Sequence, residues 1–164
     1  MSALPALIGI SIHKKKYYYL IWIPSESGPL VIDYGSGEKE ESVVPLKILV
    51  DKITQYAVKP KFSISLDNSY VKYNFTQSYN SVIDHWNDEK IYDKVFKDCY
   101  DSYIYEASSG WFNIHILKTV KSSIVDQVKN KNYSLDNLSV GIFSALQGVE
   151  SWYDIENTPN YIVL

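Results

Sequence analysis

Six acids, Asp84, Asp88, Glu89, Asp93, Asp98 and Asp101, crowd one stretch of the chain, and paired carboxylates are what general acid–base chemistry uses. On a helix most of them fall on the polar side, which reads as a solvated face. The functional alternative is a docking surface made of Trp86, Tyr92, Asp93, Phe96, Tyr100 and Tyr103, since interfaces combine aromatic anchors with a charged rim. His13, His85 and His115 lie far apart and lack a metal-ligand spacing, so they read as structural and no metal is expected. Cys99, on an apparent apolar stripe with Val95 and Tyr103, reads as a buried small hydrophobe rather than a nucleophile. Asp33-Tyr34-Gly35-Ser36-Gly37 has the acid and two glycines of a phosphate hairpin. The acids of Glu38-Lys39-Glu40-Glu41 would repel a polyphosphate, however, and the glycines read as a turn before a helix. Lys14-Lys15-Lys16 reads as a solvated hairpin tip.

These residues need elements to hold them. Leu7–Ile12 and Tyr17–Ile23 are β-branched and aromatic runs at hairpin spacing, the second ended by Pro24. Leu30–Tyr34 follows Ser27-Gly28-Pro29 and completes a three-stranded meander. A helix capped by Ser42 carries Leu46, Leu49, Val50, Ile53 and Ala57 on one stripe, closed by Pro60. Phe62–Leu66 and Tyr70–Phe75 alternate as strands. Asn87 or Asp88 then caps a long helix with Ile91, Val95, Cys99 and Tyr103 in line, flanked by Tyr92, Phe96 and Tyr100. Trp111–Leu117 is a further strand, Ser122–Asn130 a helix bearing Ile124, Val125 and Val128, and Leu138–Ile142 a strand. A helix with Phe143, Leu146, Val149 and Trp152 or Tyr153 follows, and then a strand start, Tyr161–Leu164, which reads as cut.

Composition narrows the class. A chain of 164 residues buries roughly 70% of its unfolded surface, so it folds without staples. One cysteine excludes an internal disulfide and fits a reducing compartment. The net charge is -3 and all 16 basic residues are lysine, so the arginine fork that favours phosphate and guanine is missing and nucleic acid is not expected as a partner. The N-terminal stretch lacks the form of a signal peptide, and no apolar run approaches the ~20 residues of a membrane span.

The order of elements resembles a ribonuclease-H-like lobe, half of an actin-like fold. Leu66-Asp67-Asn68-Ser69-Tyr70-Val71 resembles the strand and turn leading into the inserted subdomain of the pilus and type II secretion actin-like proteins, where an acidic helix follows, here Asn87–Phe96. Val120–Val128 resembles the family's short helix after the inserted strand, and Ser139–Leu146 its closing strand and helix. The tyrosine-, lysine- and asparagine-rich style is similar to that of the bundle-forming pilus member. The resemblance implies an α/β fold: a lobe core over residues 1–67 and 119–164 with a mixed five-stranded sheet, and a small inserted α+β subdomain over 68–118.

ATP-binding members carry Gly-x-Asp-x-Gly in the first hairpin, where this chain has Gly9-Ile10-Ser11-Ile12-His13. Serine cannot supply the anionic oxygen a Mg²⁺ shell favours, and His13 crowds the backbone where glycine belongs. The hairpin Gly9, Ser11, His13 is therefore degenerate, with no catalysis and no cofactor expected. The resemblance implies a non-enzymatic scaffold on the cytoplasmic face of the bacterial inner membrane, docking the hexameric assembly ATPase and the polytopic inner-membrane platform protein, and tethered only by a segment beyond this chain. The alternative is the truncated first lobe of an ATP-dependent enzyme of the actin and sugar-kinase type.

Overall fold

The computed structural model describes residues 5–39, 45–56, 59–88, 93–107 and 110–141. Strand β1 (Ala6–Ile12) buries Ala6, Ile8, Ile10 and Ile12 and turns the residues between them outward, the two-residue period of a strand with one buried face. It pairs antiparallel with β2 (Lys16–Ser25), and β2 pairs antiparallel with β3 (Gly28–Glu38). On its other side β1 pairs parallel with β4 (Pro60–Leu66), which pairs parallel with β8 (Ser134–Val140). The resulting five-stranded sheet, in the order β3-β2-β1-β4-β8, is mixed, as expected for the α/β lobe.

Helix α1 (Leu46–Asp51) and the 3₁₀ turn Thr54–Tyr56 lie between β3 and β4, and α4 (Lys118–Asn130) precedes β8. Leu46, Leu49 and Ile53 from the first region and Ile124 and Val128 from α4 join Phe62, Ile64, Leu66 and the inward residues of β1 in one core. Each such side chain contributes about 1.5–3 kcal/mol on leaving water. Between β4 and α4 the chain builds a second, three-stranded antiparallel sheet from β5 (Val71–Thr76), β6 (Tyr100–Ala107) and β7 (Gly110–Leu117), with β7 in the middle. Helices α2 (Tyr79–Asn87) and α3 (Lys94–Cys99) accompany it.

Several local expectations give way. Pro24 does not end β2; it pairs with Pro29 beside the turn, a rung that two residues without N–H groups can occupy at the end of a ladder. Gly35-Ser36-Gly37 is not a turn but the continuation of β3, with Gly35 opposite Tyr19 and Gly37 opposite Tyr17. The glycines leave room for the tyrosine rings: a Cβ on Gly37 would stand 2.5 Å from the Tyr17 hydroxyl oxygen. Helix α1 has Pro45 at its N-cap with no side-chain cap, while Ser42 and Ala57 lie outside the described residues. Helix α4 starts at Lys118, ahead of the expected Ser122.

The largest correction concerns the expected long helix from residue 87 or 88. The structure has α2 before it, a six-residue α3, and then strand β6 from Tyr100. The cap is Asp93, whose Oδ1 accepts from the Phe96 N–H at 2.7 Å. Tyr100–Ala107 is extended because its backbone pairs along the whole of β7, which overrides the helical spacing of Val95, Cys99 and Tyr103. Cys99 is exposed, not buried, because the apolar stripe that would have covered it does not form. The expected closing helix from Phe143 and the strand at Tyr161 lie outside the described residues.

Candidate functional site

Two constellations hold the residues the sequence singled out. The first lies at the end of β1. Gly9 and Ser11 sit on the face of β1 away from the core, and His13 follows on the same side. Ser11 Oγ stands 3.1 Å from His13 Nε2, and His13 Nδ1 stands 2.9 Å from Asp67 Oδ2. The second carboxylate oxygen accepts from the Ser69 N–H at 2.9 Å and from the Ser69 hydroxyl. Strand β4 delivers Asp67: its parallel register sets Leu66 beside Ile12, and the Asp67 N–H donates to the Ile12 carbonyl at 3.0 Å. Tyr70 ties the far side, its hydroxyl donating to the His13 carbonyl at 3.1 Å and accepting from Lys39 Nζ at 2.9 Å. Ser11 opens onto a groove of about 350 Å³ lined by Gly9, Tyr18, Tyr19, Leu20, Ser63 and Ser65.

The second constellation is on the three-stranded sheet. Phe96 of α3 and Tyr100 at the start of β6 stack with ring centres 4.6 Å apart, and Phe96 meets the buried His115 of β7 edge-on at 5.0 Å. Lys72 of β5 places its ammonium 5.6 Å from the Phe96 ring centre and 5.1 Å from that of Tyr100. His115 is buried in β7, with Ser102 Oγ 2.8 Å from its Nδ1. Tyr103 is elsewhere, because adjacent strand residues face opposite ways. It points with Tyr105 into a groove of about 340 Å³ between β6–β7 and α4–β8, lined also by Ile114, Ile116, Lys121, Leu138 and Val140. There Lys121 Nζ donates to Asp101 Oδ2 and to the Tyr103 hydroxyl, each at 2.6 Å. The Asp101 hydrogen bond first, and the Tyr103 one second, raise the Lys121 ammonium above its ordinary pKa.

Of the six aromatic and acidic residues expected to form a surface, the structure therefore brings Phe96 and Tyr100 together and sets Tyr103 apart. Asp93 is nearby but its carboxylate serves as the α3 cap. Trp86 lies on α2, its side chain outside what is described, and Tyr92 is outside the described residues. The charge over the stacked rings is a lysine, not the acids the sequence drew attention to. Among the described residues, no three His, Cys, Asp or Glu side chains converge as a metal site requires, and no helix is long and apolar enough to cross a membrane.

No family model matches the chain, and no curated protein matches it. Solved structures do. The cytoplasmic domain of EpsL, an inner-membrane component of the type II secretion system of Vibrio cholerae, aligns with a TM-score of 0.53 at 11% identity, over 82% of this chain and 55% of that one. A chain of the PilM-PilN type IV pilus biogenesis complex aligns with a TM-score of 0.55 at 11% identity, over 89% of this chain and 50% of that one. The chain shares their fold. A protein of actin-like ATPase fold and unknown function from Bacteroides thetaiotaomicron also aligns, at a TM-score of 0.41 and 9% identity. The chain spans about half the length of the solved chains it matches.

Sequence reasoning missed Asp67, Lys72, Asp101 and Lys121 as members of these constellations. Asp67 stood in a stretch noted only for its turn, and its partner His13 lies three strands earlier. Lys72 and His115 meet through the β5–β7 register, which no local pattern announces.

Proposed function

We propose that the chain is a docking lobe of an inner-membrane assembly protein in type IV pilus biogenesis or type II secretion. Facing the cytoplasm, it holds the hexameric assembly ATPase and the polytopic platform protein together without turning over nucleotide. The observation that carries this reading is the Phe96–Tyr100 stack under the Lys72 ammonium, a half-exposed aromatic anchor with a cationic rim on a sheet separate from the main one. Two further facts support it. The solved structures of the same fold come from a type II secretion component and a pilus biogenesis complex. Strand β1 carries Ser11, bonded to His13, where a nucleotide-binding lobe needs an acid, so the truncated-enzyme alternative is not favoured.

Titration of the chain with the cognate assembly ATPase, and separately with the platform protein's cytoplasmic segment, tests it. Saturable binding to at least one is expected, weakened about tenfold or more by Phe96→Ala or Lys72→Glu. A folded chain that binds neither overturns the proposal, as does binding that these substitutions leave unchanged.

A further inference from the structure

The Ser11–His13–Asp67 chain of hydrogen bonds has a chemical reading that docking does not use. Asp67 Oδ2 lies 2.9 Å from His13 Nδ1, so the proton of the neutral imidazole belongs on Nδ1 and the Nε2 lone pair faces the Ser11 hydroxyl 3.1 Å away. Asp67 is itself held by Ser69 through its other oxygen and by its own N–H on Ile12. The ring of His13 is steadied by Tyr18, edge-on at 5.1 Å. Nucleophile, base and orienting acid are thus arranged in the order that activates a serine, and recognition of such an array rests on geometry rather than on fold.

Two more requirements are met. Ser11 opens onto the groove of about 350 Å³, where the Tyr18 and Leu20 side chains offer an apolar wall. Ser65 lies directly across from Ser11 in the β1–β4 pair and lines the same groove, which puts a second hydroxyl within the site as the donor a carbonyl oxygen would need.

From these contacts we infer that Ser11 is an activated nucleophile for acyl transfer from small esters with an apolar or aromatic acyl group. Ser11 Oγ adds to the ester carbonyl carbon while its proton passes to His13 Nε2. The carbonyl oxygen takes the negative charge and accepts from Ser65. Collapse breaks the bond to the alcohol, which leaves with the proton from His13. Water, deprotonated by the same imidazole, then cleaves the acyl-serine to a carboxylic acid and restores the hydroxyl. Asp67 is a positioning residue acting through His13.

The test is covalent labelling of the whole chain with a fluorophosphonate probe, read by intact mass and peptide mapping, together with p-nitrophenyl butyrate hydrolysis. Labelling at Ser11 is expected, absent in Ser11→Ala and slowed about 100-fold in His13→Gln. Asp67→Asn should slow labelling and also shift or flatten its pH profile, which loss of a merely structural contact would not do. Thermal melts identify folded variants, and Ser65→Ala, outside the hydrogen-bonded array, provides a second reading through slower ester turnover. Ser11 labelled no faster than in the urea-unfolded chain, or equally fast in His13→Gln, overturns the inference and leaves the docking proposal untouched.

Discussion

Gly37 lies against the ring of Tyr17 so closely that a Cβ at residue 37 would come within 2.6 Å of the ring's Cζ. Tyr17 is buried in the main core, so its ring has little room to retreat. Gly37→Ala should destabilise the chain by about 1–3 kcal/mol, the ordinary range for overpacking. Urea denaturation measures it, and a Tyr17→Leu background should remove most of the penalty. An alanine accepted without loss in the parent chain would contradict this account of the glycine.

Asn113 sits in the middle of β7 with no exposed surface, and among the described residues neither its amide nitrogen nor its amide oxygen has a hydrogen-bond partner. A buried amide in that condition costs about 1–3 kcal/mol. The nearly isosteric Asn113→Leu should therefore raise stability by about 1 kcal/mol or more. Equilibrium melts decide it, and a lowered midpoint would show that the amide does work the fold needs.

Asp93 and Phe96 separate capping from docking. The Asp93 carboxylate accepts from the Phe96 N–H, so Asp93→Ala should cost about 0.5–2 kcal/mol of stability. Because that carboxylate is committed to the helix, the same variant should bind partners within about twofold of the parent, whereas Phe96→Ala should weaken binding about tenfold. Calorimetry of the two variants side by side checks the contrast. Equal losses of affinity would return Asp93 to the docking surface.

Asp33 and Lys52 give a pH dependence with a definite sign. The hydrogen bond from Lys52, at 2.5 Å, is the largest influence holding the Asp33 carboxyl below its ordinary value of 3.8, with Tyr19 and the Tyr34 N–H adding to it against partial desolvation. A carboxyl depressed on folding stabilises above its unfolded pKa, and that stability is lost as pH falls through the lower folded value. Asp33 correspondingly raises Lys52 above 10.5, so the ammonium's share is complete below that pH and is lost as pH rises through the folded value. The melting-temperature gap between the parent and Asp33→Asn should stay flat near neutrality and close as pH drops below about 4. A gap that widens in acid would reverse the assignment.

The main sheet was legible because β1 and β4 alternate buried and outward residues without interruption, and that pattern has only one good physical realisation. The stretch 93–107 was not, because Val95, Cys99 and Tyr103 fall by coincidence on a helical stripe while Asp101, Tyr103 and Tyr105 fall equally well on one face of a strand. Pairing with β7 decides between them, and that information lies in another part of the chain. Gly35 and Gly37 misled for a related reason: glycine marks both turns and close approach, and only the tyrosines opposite show which. The same holds at the site. Ser11 and His13 were visible as a departure from a pattern, but the carboxylate that completes their array arrives by the parallel β1–β4 register.

The Leu117 N–H donates to the Tyr70 carbonyl at 3.2 Å, so the two ends of the segment that builds the three-stranded sheet meet in a backbone hydrogen bond. Everything between those residues enters and leaves by one doorway, and Lys118 and Lys121 of α4 hold its contents from the side. Its contents can be lengthened, exchanged or redecorated in the course of descent while β1, β4 and α4 stay where they are.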